Sequence, residues 1–220
     1  MVSRVIGLDL AGVDTRSTGL VYMEAELADR LICVNLVART VYSDDEIHET
    51  IGHFRPELIA IDAPLTYPRH RCCFRPECGC KSRNPSSARE IERELWRRGI
   101  RVFPCGFGGM RKLTERGVKL RTVLEQSGFR VIEVYPGATQ DILGIPRKRK
   151  ARRALYEGLA QYLGLDVAEL ADMNDHELDA LTSAITGVMH LHNMTEVIGD
   201  AEEGLLVVPL SQVSRTVGGD

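Results

Sequence analysis

Two apolar runs in this chain each finish on an aspartate: Val5-Ile6-Gly7-Leu8-Asp9 and Leu58-Ile59-Ala60-Ile61-Asp62. Each reads as a short strand buried on both faces, with a single carboxylate at its far end. A charge in that position is costly to desolvate unless a cation or a donor meets it. Further along, Asp175 and Asp179 are spaced i, i+4 and share one face of a predicted helix. On its wheel Leu178, Leu181, Ile185, Met189 and His192 form the buried stripe, with Val188 close by, and both aspartates fall at the margin. Glu133 sits on a predicted strand, 130–135, whose edge faces the same cleft. Converging carboxylates repel one another without a cation. Oxygen-only ligands suit Mg²⁺ or Mn²⁺. Two such ions roughly 4 Å apart hold the attacking water and leaving oxygen of an in-line displacement at phosphorus. The chemistry expected is therefore metal-dependent phosphodiester hydrolysis, with Asp9, Asp62 and Asp179 as ligands and Asp175 or Glu133 auxiliary.

Each acid also has a plainer role to compete with. Asp9 can cap a turn, and Asp62 before Ala63-Pro64 can form an Asx-turn. Asn174 with Glu177 matches a capping box, which leaves Asp175 at the first helical position for dipole reasons. Glu133 can pair with one of the many arginines. His176 lies away from both helical aspartates on the wheel and reads as a surface residue.

These side chains need a frame. After the first strand, residues 20–25 and 31–38 alternate or run apolar across short links, which predicts an antiparallel meander. Ser43, with Glu46 three residues on, caps a helix that runs to about Phe54. A crossover helix returning to a neighbouring strand implies parallel pairing, so strands one and four stand side by side in a mixed sheet. The expectation is an α/β fold with five strands, helices on both faces and a basic, cysteine-bearing insert at about 65–110. One domain over 1–210 is expected, with a frayed tail at 211–220. Helices are predicted at about 87–98, 111–126, 148–163 and 174–192, with a further edge strand at 204–210.

Net charge is −3, but it is unevenly spread. Residues 64–153 carry 22 Lys and Arg against 8 Asp and Glu, which leaves 6 basic and 23 acidic residues elsewhere. A basic middle beside acidic flanks predicts a polyanionic partner, here nucleic acid. Arg147, Lys148, Arg149, Lys150, Arg152 and Arg153 crowd a helix N-terminus, an end that repels cations, so phosphate contact explains them better than local stability. Arg89, Arg93, Arg97 and Arg98 have Glu90 and Glu94 as helical partners. Aromatics make up 5% of the chain, too few to predict a stacking platform. No run approaches the roughly 20 apolar residues of a membrane span, and the first strand starts at once with no leader pattern. A cytoplasmic protein is expected.

Cys72, Cys73, Cys78 and Cys80 form Cys-Cys-x₄-Cys-x-Cys, with His70 nearby. In a reducing compartment such a cluster favours metal, and tetrahedral Zn²⁺ would staple an insert poor in core-forming residues. Free thiols, a disulfide or a metal–sulfur cluster are the alternatives.

Gly-Leu-Asp-Leu-Ala-Gly (7–12), Ile-Asp-Ala-Pro-Leu (61–65), Glu-Val-Tyr-Pro-Gly-Ala (133–138) and Asp-His-Glu-Leu-Asp-Ala-Leu-Thr-Ser-Ala (175–184) resemble the domain-of-unknown-function family 429. That family is described as predicted nucleases with a ribonuclease H-like fold. The resemblance runs from about residue 4 to 208. In ribonuclease H-like nucleases the acids lie on the first strand, the fourth strand and a late helix, which maps onto Asp9, Asp62 and Asp175 or Asp179. Two departures stand out. No glutamate on the first helix evidently faces the site, although Glu46 and Glu49 are available, and Glu133 has no counterpart in the usual nuclease set. Two other readings compete. Asp9 to Gly12 with Ser17-Thr18-Gly19 resembles the phosphate loop of ATP-binding actin and sugar-kinase-like proteins, which need two copies of the fold where this chain holds one. A catalytically inactive nucleic-acid-binding module is the other.

Overall fold

The computed structural model describes residues 1–148 and 152–211. All its strands join one mixed sheet. β1 (Val2–Asp9), β2 (Thr18–Leu27) and β3 (Leu31–Val41) form the expected antiparallel meander. The helix α1 (Asp44–Phe54) starts on a complete capping box: Ser43 Oγ accepts from Glu46 N, and Glu46 accepts from the Ser43 N–H. The chain then returns as β4 (Leu58–Asp62), parallel to β1. The segment from 65 to 109 contains only two helices, α2 (Cys80–Arg83) and α3 (Glu90–Arg97). It is followed by α4 (Met110–Gln126) and β5 (Val131–Val134), then by α5 (Pro136–Leu143), α6 (Arg152–Leu163), a 3-10 turn (Val167–Leu170) and α7 (Asp175–Leu191). β6 (Thr195–Asp200) and β7 (Gly204–Pro209) complete the sheet, whose order is β3-β2-β1-β4-β5-β7-β6.

The sheet thus has seven strands where five were expected. β7 is not a loose edge strand: it pairs in parallel with β5 and antiparallel with β6. β6 escaped the pattern because Val197 and Ile198 are its only large apolar residues, too few to show alternation. α5 was also unforeseen. Pro136-Gly137 reads as a turn, yet Pro136 occupies the first helical position, where its missing N–H costs nothing.

Helices cover both faces, as the buried strands require. On one face Ile6, Leu8, Ile59 and Ile61 meet Ile47 and Ile51 of α1 and Leu120 and Leu124 of α4. On the other, Val5, Val21, Met23 and Leu58 meet α6 and α7 through Leu155, Leu159, Leu178, Leu181 and Ile185. α3 packs Ile91 and Leu95 on Ile198, Leu206 and Val208 at the far end of the sheet. Arg149, Lys150 and the expected tail beyond Ser211 lie outside the described residues. Among the described residues no helix is long and apolar enough to cross a membrane.

Candidate active site

β1 and β4 run parallel in a register that pairs Asp9 directly with Asp62. Partners in adjacent parallel strands point to the same face and lie about 4.8 Å apart. The two carboxylates therefore emerge side by side at the strand ends, on the face covered by α7. Neither strand continues, because Gly12 and Pro64 follow within three residues.

Two glycines set the height of α7 above them. A Cβ on Gly7 would lie 2.0 Å from the Ala180 carbonyl oxygen, and one on Gly19 would lie 2.1 Å from that of His176. The helix backbone thus rests directly on β1 and β2. Its N-terminus is pinned by the Asn174–Glu177 capping box, and Thr40 of β3 donates to Glu177 while accepting from the Asn174 side chain. Asp179, one turn in, then overhangs the ends of β1 and β4.

The site has its own cations. Lys148 Nζ donates to Asp179 Oδ2 at 2.5 Å, and the other Asp179 oxygen accepts a long bond from Gln140 of α5 at 3.4 Å. His176 Nδ1 lies 2.6 Å from Asp9 Oδ2. His176 is exposed, in keeping with its wheel position away from the two helical aspartates, but the close seating of α7 swings the first turn over the end of β1 and brings it to Asp9. Among the described residues the Asp62 carboxylate has no hydrogen-bond partner, although the residue is half-buried. Burial, with Asp9 and Asp179 adding to it, pushes its carboxyl well above the ordinary range. Burial also raises Asp179, against the pull of Lys148. Desolvation works against the Lys148 ammonium, but Asp179, Asp9 and Asp175 hold it above its usual value. The hydrogen bond to Asp9 raises His176.

The remaining expected residues are placed as follows. Asp175 is the first residue of α7 and exposed, with Arg152 Nε 2.9 Å from its Oδ1. Glu133 pairs with Ile61 in the β4–β5 register, so it projects to the opposite face from Asp62. There it accepts two bonds from Arg89, at 2.6 and 2.8 Å, and one from Leu65 N–H at 2.7 Å. Glu133 and Asp62 line one cleft of about 190 Å³ with Asp9, Pro64, Tyr135 and Phe103, but their carboxylates are not brought together. Glu46 is used in the α1 cap. Arg147 is paired with Asp141 and Arg153 with Glu157. Thr18, in the phosphate-loop-like stretch, is fully buried and accepts from Ala11 N. Composition gave no reason to expect an aromatic surface. Phe103 and Phe107 nonetheless stack in the open, centroids 6.0 Å apart, and Phe103 lines the cleft.

Three carboxylates of a half-buried site, one without any donor, form an oxygen-only set that fits a hard divalent cation. The fit requires Asp179 to exchange Lys148 for the ion. Among the described residues, Cys72, Cys73, Cys78 and Cys80 are the only group whose ligand atoms are already gathered for a metal.

The strand order and the crossover helices are those of a ribonuclease H-like fold. Thermus thermophilus RuvC has this fold: it superposes with a TM-score of 0.51 at 16% identity, over 88% of this chain and 96% of that one. T. thermophilus RuvC in complex with Holliday junction substrate gives a TM-score of 0.46 at 15% identity, with the same coverage. No curated protein matches the sequence. The chain belongs to the DUF429 family of proteins of unknown function, whose profile matches residues 12–203.

Proposed function

We propose that this chain is a nuclease that hydrolyses phosphodiester bonds of nucleic acid with divalent ions, Mg²⁺ or Mn²⁺, held by Asp9, Asp62 and Asp179. The observation that carries the reading is the Asp9–Asp62 register pair beneath Asp179, with Asp62 left without a donor. When bound, such ions supply Lewis acidity at the phosphate and an activated water. The protein's own part is to fix charge and protons around them. Asp9 bridges the pair to His176, which can exchange a proton at Nδ1. Lys148, displaced from Asp179, is placed to neutralise a phosphate oxygen. Asp175 is auxiliary and keeps Arg152 beside the site. Glu133 acts at one remove, by holding the Arg89 end of the insert along the cleft.

Arg147, Lys148, Arg149, Lys150, Arg152 and Arg153 are proposed to track the backbone of the nucleic acid. The ion pairs that Arg152 and Arg153 make are exposed, and such pairs contribute about 0–1 kcal/mol. They exchange easily for phosphates. None of the six cysteines forms a disulfide, which fits a reducing compartment, and we assign the protein to the cytoplasm.

The test is a panel of labelled single-stranded, duplex and branched DNA and RNA, incubated with and without Mn²⁺. The expected result is Mn²⁺-dependent cleavage of at least one substrate, abolished by Asp62→Asn with the fold intact by circular dichroism. Binding without cleavage of any substrate would overturn the reading and assign a non-catalytic nucleic-acid-binding module. Nucleotide-dependent thermal stabilisation without nucleic-acid binding would favour the ATP-handling alternative.

A further inference from the structure

The segment from Arg69 to Ser87 has almost no core. Only Phe74 and Cys80 are buried along it, and its regular structure is the single turn of α2. Burial this thin does not offset the ordering of some nineteen residues, at roughly 1–2 kcal/mol each for the backbone. Small or core-poor units with this deficit use a covalent or metal staple.

Four thiols sit where a staple would be. The sulfurs of Cys72, Cys73, Cys78 and Cys80 all lie within 4.8 Å of one another. Cys72 and Cys78 are 3.6 Å apart, and Cys73 and Cys80 are 3.9 Å apart. A zinc ion with four thiolates at about 2.3 Å has sulfurs separated by about 3.8 Å along each tetrahedral edge. A disulfide needs about 2.05 Å. The Cys72–Cys78 and Cys73–Cys80 spacings match the tetrahedral edge, and the remaining pairs lie within 4.8 Å.

We propose that Cys72, Cys73, Cys78 and Cys80 bind one Zn²⁺ as a closed, four-thiolate structural site that fixes the insert. The thiols release their protons to solvent as the four Zn–S bonds form. The resulting centre carries two negative charges, and the loop around it supplies the compensation. Arg71, Arg75, Lys81 and Arg83 flank or separate the ligands in sequence, against the one acid Glu77. Arg71 also clamps the loop, donating to the Cys73 and Asn84 carbonyls at 3.0–3.1 Å, while Asn84 donates back to the Arg69 carbonyl at 2.8 Å. Outer bonds of this kind hold ligand loops in place around a metal. The staple also braces the cleft rim. Phe74 packs on Gly106, whose N–H donates to the Ser87 carbonyl at 2.8 Å, between Phe103 and Phe107 in sequence. With four protein ligands the site has no open position, so it is structural and independent of the nuclease reading.

The test uses the full-length protein, purified without added metal and analysed for zinc and iron. About one zinc per chain is expected. Loading with Co²⁺ should give the visible bands and sulfur-to-metal charge transfer of a tetrahedral thiolate site. Cys78→Ser should lose the metal and that spectrum, whereas Cys33→Ser and Cys105→Ser retain both. Stripping the wild-type protein with a mercurial should expose Arg71 to Arg83 to trypsin while the rest of the chain resists. Four titratable thiols with no metal affinity, a Cys72–Cys78 or Cys73–Cys80 disulfide in the native protein, or an iron–sulfur spectrum would each overturn the proposal. So would an unchanged tryptic pattern after stripping, because a staple must hold something.

Discussion

Arg89→Met isolates the ion cluster that anchors the insert. Arg89, Glu92 and Glu133 are 1%, 2% and 6% exposed. The guanidinium bonds both oxygens of Glu133, reaches Glu92 Oε1 from two nitrogens, and donates to Thr66 Oγ1 at 2.8 Å. Methionine retains most of the stem volume, so the substitution removes charge more than packing. It leaves two carboxylates buried without their cation. Breaking a buried pair in this way costs about 3–5 kcal/mol. For a chain of this size that is a fall in melting temperature of roughly 6–20 °C, at about 2–4 °C per kcal/mol. Urea unfolding followed by circular dichroism gives the number directly. Acid should narrow the gap between variant and wild type, because a stranded carboxylate sheds its charge by taking a proton. Adding Glu92→Gln and Glu133→Gln should recover most of the loss. A loss below about 1 kcal/mol, or a deficit indifferent to both pH and the added glutamines, would refute the assignment of the cluster as a buried ionic anchor.

Other substitutions probe the site and its support. Asp62→Asn should stabilise the metal-free protein near neutral pH: like charges about 5 Å apart repel by about 3 kcal/mol at an effective dielectric of 20, and Lys148 offsets part of it. The sign follows from the raised carboxyl of Asp62. Its share of wild-type stability is full below the unfolded value of about 3.9 and is lost as pH rises through the folded value, so the variant's advantage should vanish in acid. A variant less stable than wild type near neutral pH would contradict this. His176 should titrate above its ordinary value by NMR, and Asp9→Asn should lower it. That interaction stabilises the fold below about pH 6.5 and is lost as pH rises through the folded value. A titration unchanged in Asp9→Asn would remove the contact from the account. Gly7→Ala should cost about 1–3 kcal/mol or more by driving a methyl into the Ala180 carbonyl. Unchanged stability would mean that α7 does not depend on this contact.

The strand-end aspartates were legible because two apolar runs stop on the same residue type and a crossover helix makes their strands parallel neighbours. Asp179 was legible from its place beside the Leu178–Leu181–Ile185 stripe. The capping boxes at Ser43 and Asn174 follow from local bonding alone, which is why both were readable. The surface place of His176 was legible but its contact with Asp9 was not, because a wheel describes one helix, whereas that contact depends on how closely Gly7 and Gly19 let the helix approach the sheet. Glu133 was ambiguous for the same kind of reason. Its partner Arg89 lies 44 positions away in irregular chain, and no spacing rule joins them. The basic count of the middle segment was correct but said little about free charge, since much of it is spent in pairs such as Arg97–Glu90, Arg98–Glu196 and Arg116–Asp44.

The account turns on Asp9, Asp62 and Asp179 sharing divalent ions. Crystals grown with Mn²⁺ and measured at a wavelength where manganese scatters anomalously test this without assuming any substrate. The account predicts a strong anomalous peak within coordination distance, about 2.0–2.2 Å, of oxygens from all three aspartates, with Lys148 moved off Asp179. Crystals in which Mn²⁺ occupies other sites, while Lys148 remains bound to Asp179 and Asp62 faces only water, would contradict it.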